Sequence, residues 1–161
     1  MIGVVIGNGP SKQLYNGEGD TVLGCNIPEH KVHATVICDE EVVYVLKKDL
    51  TLIQVPVIIS TKVFEKMKEL RIVDSFNILH VFKLKDWHNT AHYAVDYLLE
   101  LGMDEIHLFG CDSISEDNIK STTDKHVEKT MDSARFLRHW RKVWDKKFEE
   151  DIKFIIHKNP K

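Results

Sequence analysis

The chain has too few cysteines for a disulfide framework: Cys25, Cys38 and Cys111 are an odd number, and no CxxC spacing joins any two of them. That excludes paired-cysteine metal sites as well. Each thiol sits in or beside an apolar run and reads as reduced and half-buried. The chain also lacks an excess of either charge. A formal net charge of -3 gives no electrostatic case for nucleic acid or an anionic membrane as the main partner. Long apolar runs are missing, and none approaches transmembrane length. The opening "MIGVVIGNGP" has no basic segment and meets glycine too early for a signal peptide, so the cytoplasm is the expected location. Repeats, linkers and low-complexity stretches are absent too, which predicts a single domain over residues 1–161.

What is present is the composition of an ordinary globular domain, 43% apolar and 29% charged, in a length that buries a real core. Nine histidines make the local charge sensitive to mildly acidic pH. Short apolar runs bounded by Gly, Pro or polar residues predict strands at Ile2–Ile6, Thr21–Asn26, His33–Cys38 and Val55–Ser60. "SFNILHVFKL" (Ser75–Leu84) is ambiguous and reads as a strand with ragged ends. "EIHLFG" and "IKFIIH" are two further strands. Between them, Val42, Val43 and Leu46 recur at helical spacing behind an acidic first turn, with Asp39 as N-cap. Ser60 or Thr61 caps "KVFEKMKEL". In "NTAHYAVDYLLELG", Ala91, Ala94, Val95 and Leu98 share one face and a glycine ends the helix. A long amphipathic helix is predicted from His126 towards Asp151, with a break point near Asp132. Strands alternating with helices predict a mostly parallel, Rossmann-like α/β sheet with helices on both faces.

In such a sheet, ligands bind at the carboxyl ends of the strands. "VVIGNGPSK" (Val4–Lys12) ends its strand in a tight polar corner, with no second strand after it to make a hairpin. Glycines there permit close backbone approach, and Asn8 supplies an amide that donates and accepts. The third glycine of a dinucleotide fingerprint is missing, and the pattern is not a P-loop. Three further strand ends are polar: Asn26, Asp39 and Asp112. Each alone is an ordinary cap or turn residue. Together they suggest a site for a ligand with hydroxyls and a heterocycle, that is, a nucleotide.

The stretches "VVIGNGPSK…VLGCN…VICDE", "TAHYAVDYLLELGMDEIHLFGCD" and "IKFIIHKNP" resemble the bacterial sialyltransferases that use a CMP-activated sugar. They are also similar to the related MptE-like (hydroxymethylpterin pyrophosphokinase-like) proteins. The resemblance implies a nucleotide or nucleotide-sugar ligand of CMP type. It puts Asn8, Gly9 and Ser11 on the phosphate or ribose side and Asn26 against the nucleotide. Asp39 falls at a polar donor contact, and Thr90, before Gly110 and Asp112, at the donor-binding position. His126 stands where the family has its catalytic base. An imidazole titrating near neutrality suits removal of an acceptor hydroxyl's proton; the competing explanation is an exposed histidine beside Asp124.

The family's phosphate-contacting tyrosines are absent from "SISEDNIKSTTD", where Lys120 or Lys125 could replace them. The short chain leaves little room for a lid over a reactive sugar. Three functions are therefore carried forward. The first is a small glycosyltransferase-like enzyme. The second is a non-catalytic module that sequesters or senses a nucleotide. The third is a pyrophosphoryl transferase acting on a pterin, which would need a divalent metal held by Asp39, Glu40 and Asp112. His88, His92 and Asp96 have a metal-like spacing, but Glu100 continues their stripe, and a solvated helix face is expected there. Phe136, Leu137, Trp140, Val143, Trp144 and Phe148 follow helical spacing. Core packing or a homo-oligomer seam explains them better than base stacking. Acidic residues flank "RHWRKVWDKK" and argue against a nucleic-acid patch.

Overall fold

A computed structural model describes residues 1–117, 120–121, 129–130 and 134–160. Its main sheet holds β1 (Ile2–Ile6), β2 (Thr21–Cys25), β3 (Ala34–Ile37), β4 (Val57–Ser60), β5 (Ile78–Phe82), β6 (Glu105–Phe109) and β9 (Lys153–Ile156). Their spatial order is β5-β4-β3-β2-β1-β6-β9, and every neighbouring pair is parallel. The helices are α1 (Glu40–Lys48), α2 (Thr61–Glu69), α3 (Thr90–Glu100) and α4 (Ala134–Lys147). A short antiparallel ladder pairs β7 (Lys120–Ser121) with β8 (Lys129–Thr130). The predicted Rossmann-like parallel α/β architecture is what the chain adopts.

Strand burial explains the continuous apolar runs. Val36 faces one side of the sheet and Ile37 the other, as do Ile58 and Ile59 in β4. On one face, Val5, Leu23, Val36, Ile106 and Leu108 pack against Ala94, Val95 and Leu98 of α3 and Trp144 of α4. On the other, Ile37, Val57 and Ile59 meet Val42, Val43 and Leu46 of α1 and Val63 and Met67 of α2. Each fully buried aliphatic side chain contributes about 1.5–3 kcal/mol. That second face is finished differently over β1, β2 and β6. There Val4, Ile6, Val22 and Phe109 are covered by Val32 and by Tyr15, which follows a 3₁₀ turn at Pro10–Leu14.

Helix ends follow local chemistry. Ser60 Oγ accepts from Val63 N at 3.1 Å and starts α2. Glu40 and Glu41 open α1 and Lys47 and Lys48 close it, matching the helix dipole. Asp39 occupies the N-cap position of α1 without a side-chain cap bond. Two expectations need correction. The β4 strand begins at Val57, after Pro56, which has no N–H to give to the ladder. The last long helix begins at Ala134, and 129–130 pair as strand instead of continuing it. Among the described residues, no helix is long and apolar enough to cross a membrane.

Candidate functional site

Strand order reverses at β1, with β2 on one side and β6 on the other. The loops leaving these two strands are tied together. Gly7 N donates to Phe109 O at 2.7 Å and Gly9 N to Gly110 O at 2.8 Å. Gly110 N donates to Ser11 Oγ at 2.8 Å. Ser11 N and Oγ both donate to Asp112 Oδ2, at 3.1 and 3.0 Å. The Ser11 hydroxyl thus gives one bond and takes one, and both residues are buried. A Cβ at Gly9 would collide with the Asp112 carboxylate and the Gly110 carbonyl. Gly110 itself lies at φ +69°, a conformation that only glycine adopts without strain. The tight corner in "GNGPS" therefore accommodates the second loop, an approach that sequence reading had reserved for a ligand.

The other predicted positions share this edge, because every strand of the main sheet points the same way. Asn26 ends β2 at φ 61°, a left-handed geometry rare outside glycine, though asparagine tolerates it best. Its N–H donates to Val36 O at 2.9 Å, and its carbonyl accepts from Thr35 Oγ1 at 2.7 Å. The side chain is buried, and Oδ1 has no hydrogen-bond partner among the described residues. Thr90 opens α3 with Oγ1 2.9 Å from Cys38 Sγ, beside Asp39. Ser11, Gly9 and Asp112 form one network, while Asn26 and Thr90 each bond to β3 or the residue after it. His126 and Lys125 lie outside the described residues.

A small cleft runs along this edge between the β1 loop and the β2–β3 connection. Asn8 and Lys12 line it from one side, Pro28, Glu29 and His30 from the other. Lys12 is only 3% exposed, and its Nζ lies 3.1 Å from Glu29 Oε2, whose side chain is 32% exposed. Sequence reading missed this pair. A lysine straight after a Gly-Pro-Ser turn carries no mark of burial; the β2–β3 connection that covers it is a tertiary event.

The histidine stripe of α3 is also corrected. His92 is fully buried, with Trp144 at 4.5 Å between ring centroids, so this is not a solvated face. Its Nδ1 accepts from Asn89 N at 2.9 Å while Asn89 Oδ1 accepts from His92 N at 3.1 Å, a reciprocal capping box. Burial, reinforced by the Lys147 charge, pushes the imidazole down to about 2. Asp96, in the same stripe, accepts from the buried Lys147 at 2.5 Å. On α4, Leu137 and Trp144 turn into the core while Phe136 stays exposed. The three cysteines are fully buried, and burial raises Cys111 to about 12, leaving no reactive thiolate there.

The carboxylates named for a divalent metal do not fit one. Asp112 Oδ2 is taken by Ser11, and Glu40 lies 3.5 Å from Lys62 and 3.7 Å from Lys66. Among the described residues, no group of three or more His, Cys, Asp or Glu side chains is arranged to hold a metal ion. Fold and edge together define a doubly wound parallel α/β domain with a polar carboxyl edge at its switch point. No protein-family model matches the chain, and neither a curated protein nor a solved structure does.

Proposed function

We propose that the protein binds a nucleotide or nucleotide-sugar at the carboxyl edge of its sheet and acts as a small glycosyltransferase-like enzyme on a CMP-sugar or similar activated donor. One observation carries the reading: the buried Oδ1 of Asn26, without a hydrogen-bond partner among the described residues, on a left-handed backbone. Burying an amide oxygen without a donor costs about 1–3 kcal/mol, and the strained backbone adds to that. An amino group of a base or a ribose hydroxyl is the kind of donor that relieves this cost on binding. The switch-point position and the polar ends of β1, β2, β3 and β6 support the same ligand class.

In this reading an acceptor hydroxyl loses its proton to His126, its oxygen attacks the anomeric carbon, and CMP departs. The first test is a thermal-shift series with CMP, a CMP-sugar, UMP and AMP, since a ligand that binds only the folded state raises Tm. A protein indifferent to all four does not carry this function. Asn26→Ala should weaken nucleotide binding, whereas His126→Ala should leave binding intact and cut CMP release from a CMP-sugar by roughly a hundredfold or more. One observation favours the second reading, a nucleotide-binding module without turnover: Asp112, just before the tyrosine-free loop, is committed to Ser11. Nucleotide binding with no CMP release, in the wild type and in His126→Ala alike, would establish that reading.

A further inference from the structure

We propose that the Lys12–Glu29 pair is an anion-exchange site, in which a phosphate or pyrophosphate group of the ligand displaces the Glu29 carboxylate and takes Lys12 Nζ as its counter-ion. The pair is asymmetric: the Lys12 side chain is 3% exposed and the Glu29 side chain 32% exposed. A buried ammonium is costly unless an anion stays beside it. Here that anion is on the solvent side of the contact, so a competing anion reaches Lys12 by the route Glu29 leaves open. The main chain of Lys12 is held in place. Its backbone N–H is bonded to Gly9 O at 3.1 Å within the 3₁₀ turn that follows β1.

The surroundings suit an oxyanion. Asn8 contributes an amide and His30 an imidazole to the same walls. The free space in the cleft is about 10 Å³, room for one water molecule. A phosphoryl group therefore enters only as the Glu29 carboxylate swings out, with the remainder of a nucleotide extending along the sheet edge. The position also follows from topology, since Lys12 leaves the strand at which the sheet order reverses. Phosphate recognition is thereby assigned to Lys12 in place of Lys120 or Lys125. The choice of a nucleotide phosphate rests on the reading above; the exchange itself requires only an oxyanion.

The competing role for the pair is structural, a clamp holding the β2–β3 connection over the β1 loop. The two roles predict different signs. Calorimetric titrations of the full chain with inorganic pyrophosphate, CMP and cytidine compare the wild type with Glu29→Gln and Lys12→Gln. In the exchange, Glu29→Gln removes the internal competitor and tightens pyrophosphate and CMP about fivefold or more, while Lys12→Gln weakens both about tenfold or more. Cytidine, which has no phosphate, responds to neither variant. If Lys12→Gln does not fold, the sign of the Glu29→Gln effect decides alone. Unchanged or weaker anion binding by Glu29→Gln overturns the exchange, and if the wild type still binds CMP the nucleotide reading stands. Pyrophosphate binding with the expected signs but no nucleotide binding supports the exchange and removes the nucleotide reading. A wild type that binds neither pyrophosphate nor CMP overturns both.

Discussion

The two helical layers of this domain are built from different materials. The core under α1 and α2 is aliphatic throughout, with Val42, Leu46, Ile59, Val63 and Met67 among its members. The core under α3 and α4 contains Tyr93, Trp144 and three cysteines, and buries His92 and Lys147 beside them. Ser11, Lys12, Asn26 and Asp112, the other buried polar groups of interest, belong to the loops leaving β1, β2 and β6. One layer is nearly all aliphatic packing, its buried Ser60 serving to cap α2. The other tolerates groups that need partners, and the candidate ligand contacts among the described residues, Asp39 apart, lie near it or at the switch point. The difference separates a layer built of aliphatic packing from the layer and loops that carry the candidate site.

The largest effect should come from the aliphatic layer. Leu46→Ala should cost about 2–5 kcal/mol in urea unfolding, independent of pH, with nucleotide-induced stabilisation unchanged. A change in ligand response would mean the layers are not separable. Next, Asp112→Ala leaves the Ser11 N–H and hydroxyl without their buried acceptor and should cost about 1–3 kcal/mol, together with loss of ligand binding.

His92 sharpens the contrast through pH. Its folded value is about 2 against an ordinary 6.5, so below 6.5 the unfolded chain takes up a proton that the folded chain refuses. Stability contributed this way is fully present above 6.5 and falls as pH drops towards 2, by about 1.4 kcal/mol per pH unit at most. His92→Gln keeps a side chain that can accept from Asn89 N and should flatten the unfolding midpoint between about pH 6.5 and 4.5. An unaltered acid slope in that variant would assign the slope to other groups. The smallest effect should be at the surface. Glu65→Ala breaks an exposed pair with Lys68 on α2 and should change stability by less than about 0.5 kcal/mol.

Legibility in the sequence divides along the same line. The elements with a clean period, β1, α1, α2, α3 and β6, were readable because burial on a regular face imposes the spacing. The sequence of β5 was ambiguous for a physical reason: as an edge strand it leaves Leu79 and His80 exposed, so its apolar pattern is diluted. The start of α4 was misplaced because residues 129–130 make a cross-strand pairing that periodicity cannot see. At the edge, the polar strand ends were legible one by one, since each follows a recognisable apolar run. Their partners were not. Nothing local to Lys12 announces Glu29, and nothing local to Ser11 announces Asp112, because each contact joins segments that only the folded sheet brings together. His92 was misread since its capping box uses an imidazole where glutamate or glutamine is the familiar signal.

The placement of β1 has a consequence for how the protein is made. One edge of β1 pairs with β2, which follows within a short loop, as in Gly3↔Thr21. The opposite edge pairs with β6, as in Gly3↔Ile106, a segment synthesised much later. On a ribosome adding about 5–20 residues per second, the strand "IGVVI" therefore spends several seconds with one flank of backbone groups unmatched. An exposed apolar strand edge is a template for pairing with another chain. Nascent chains truncated before Glu105 should accordingly engage chaperones or aggregate, and those extending past Ile156, in which β6 is also covered by β9, should do so least.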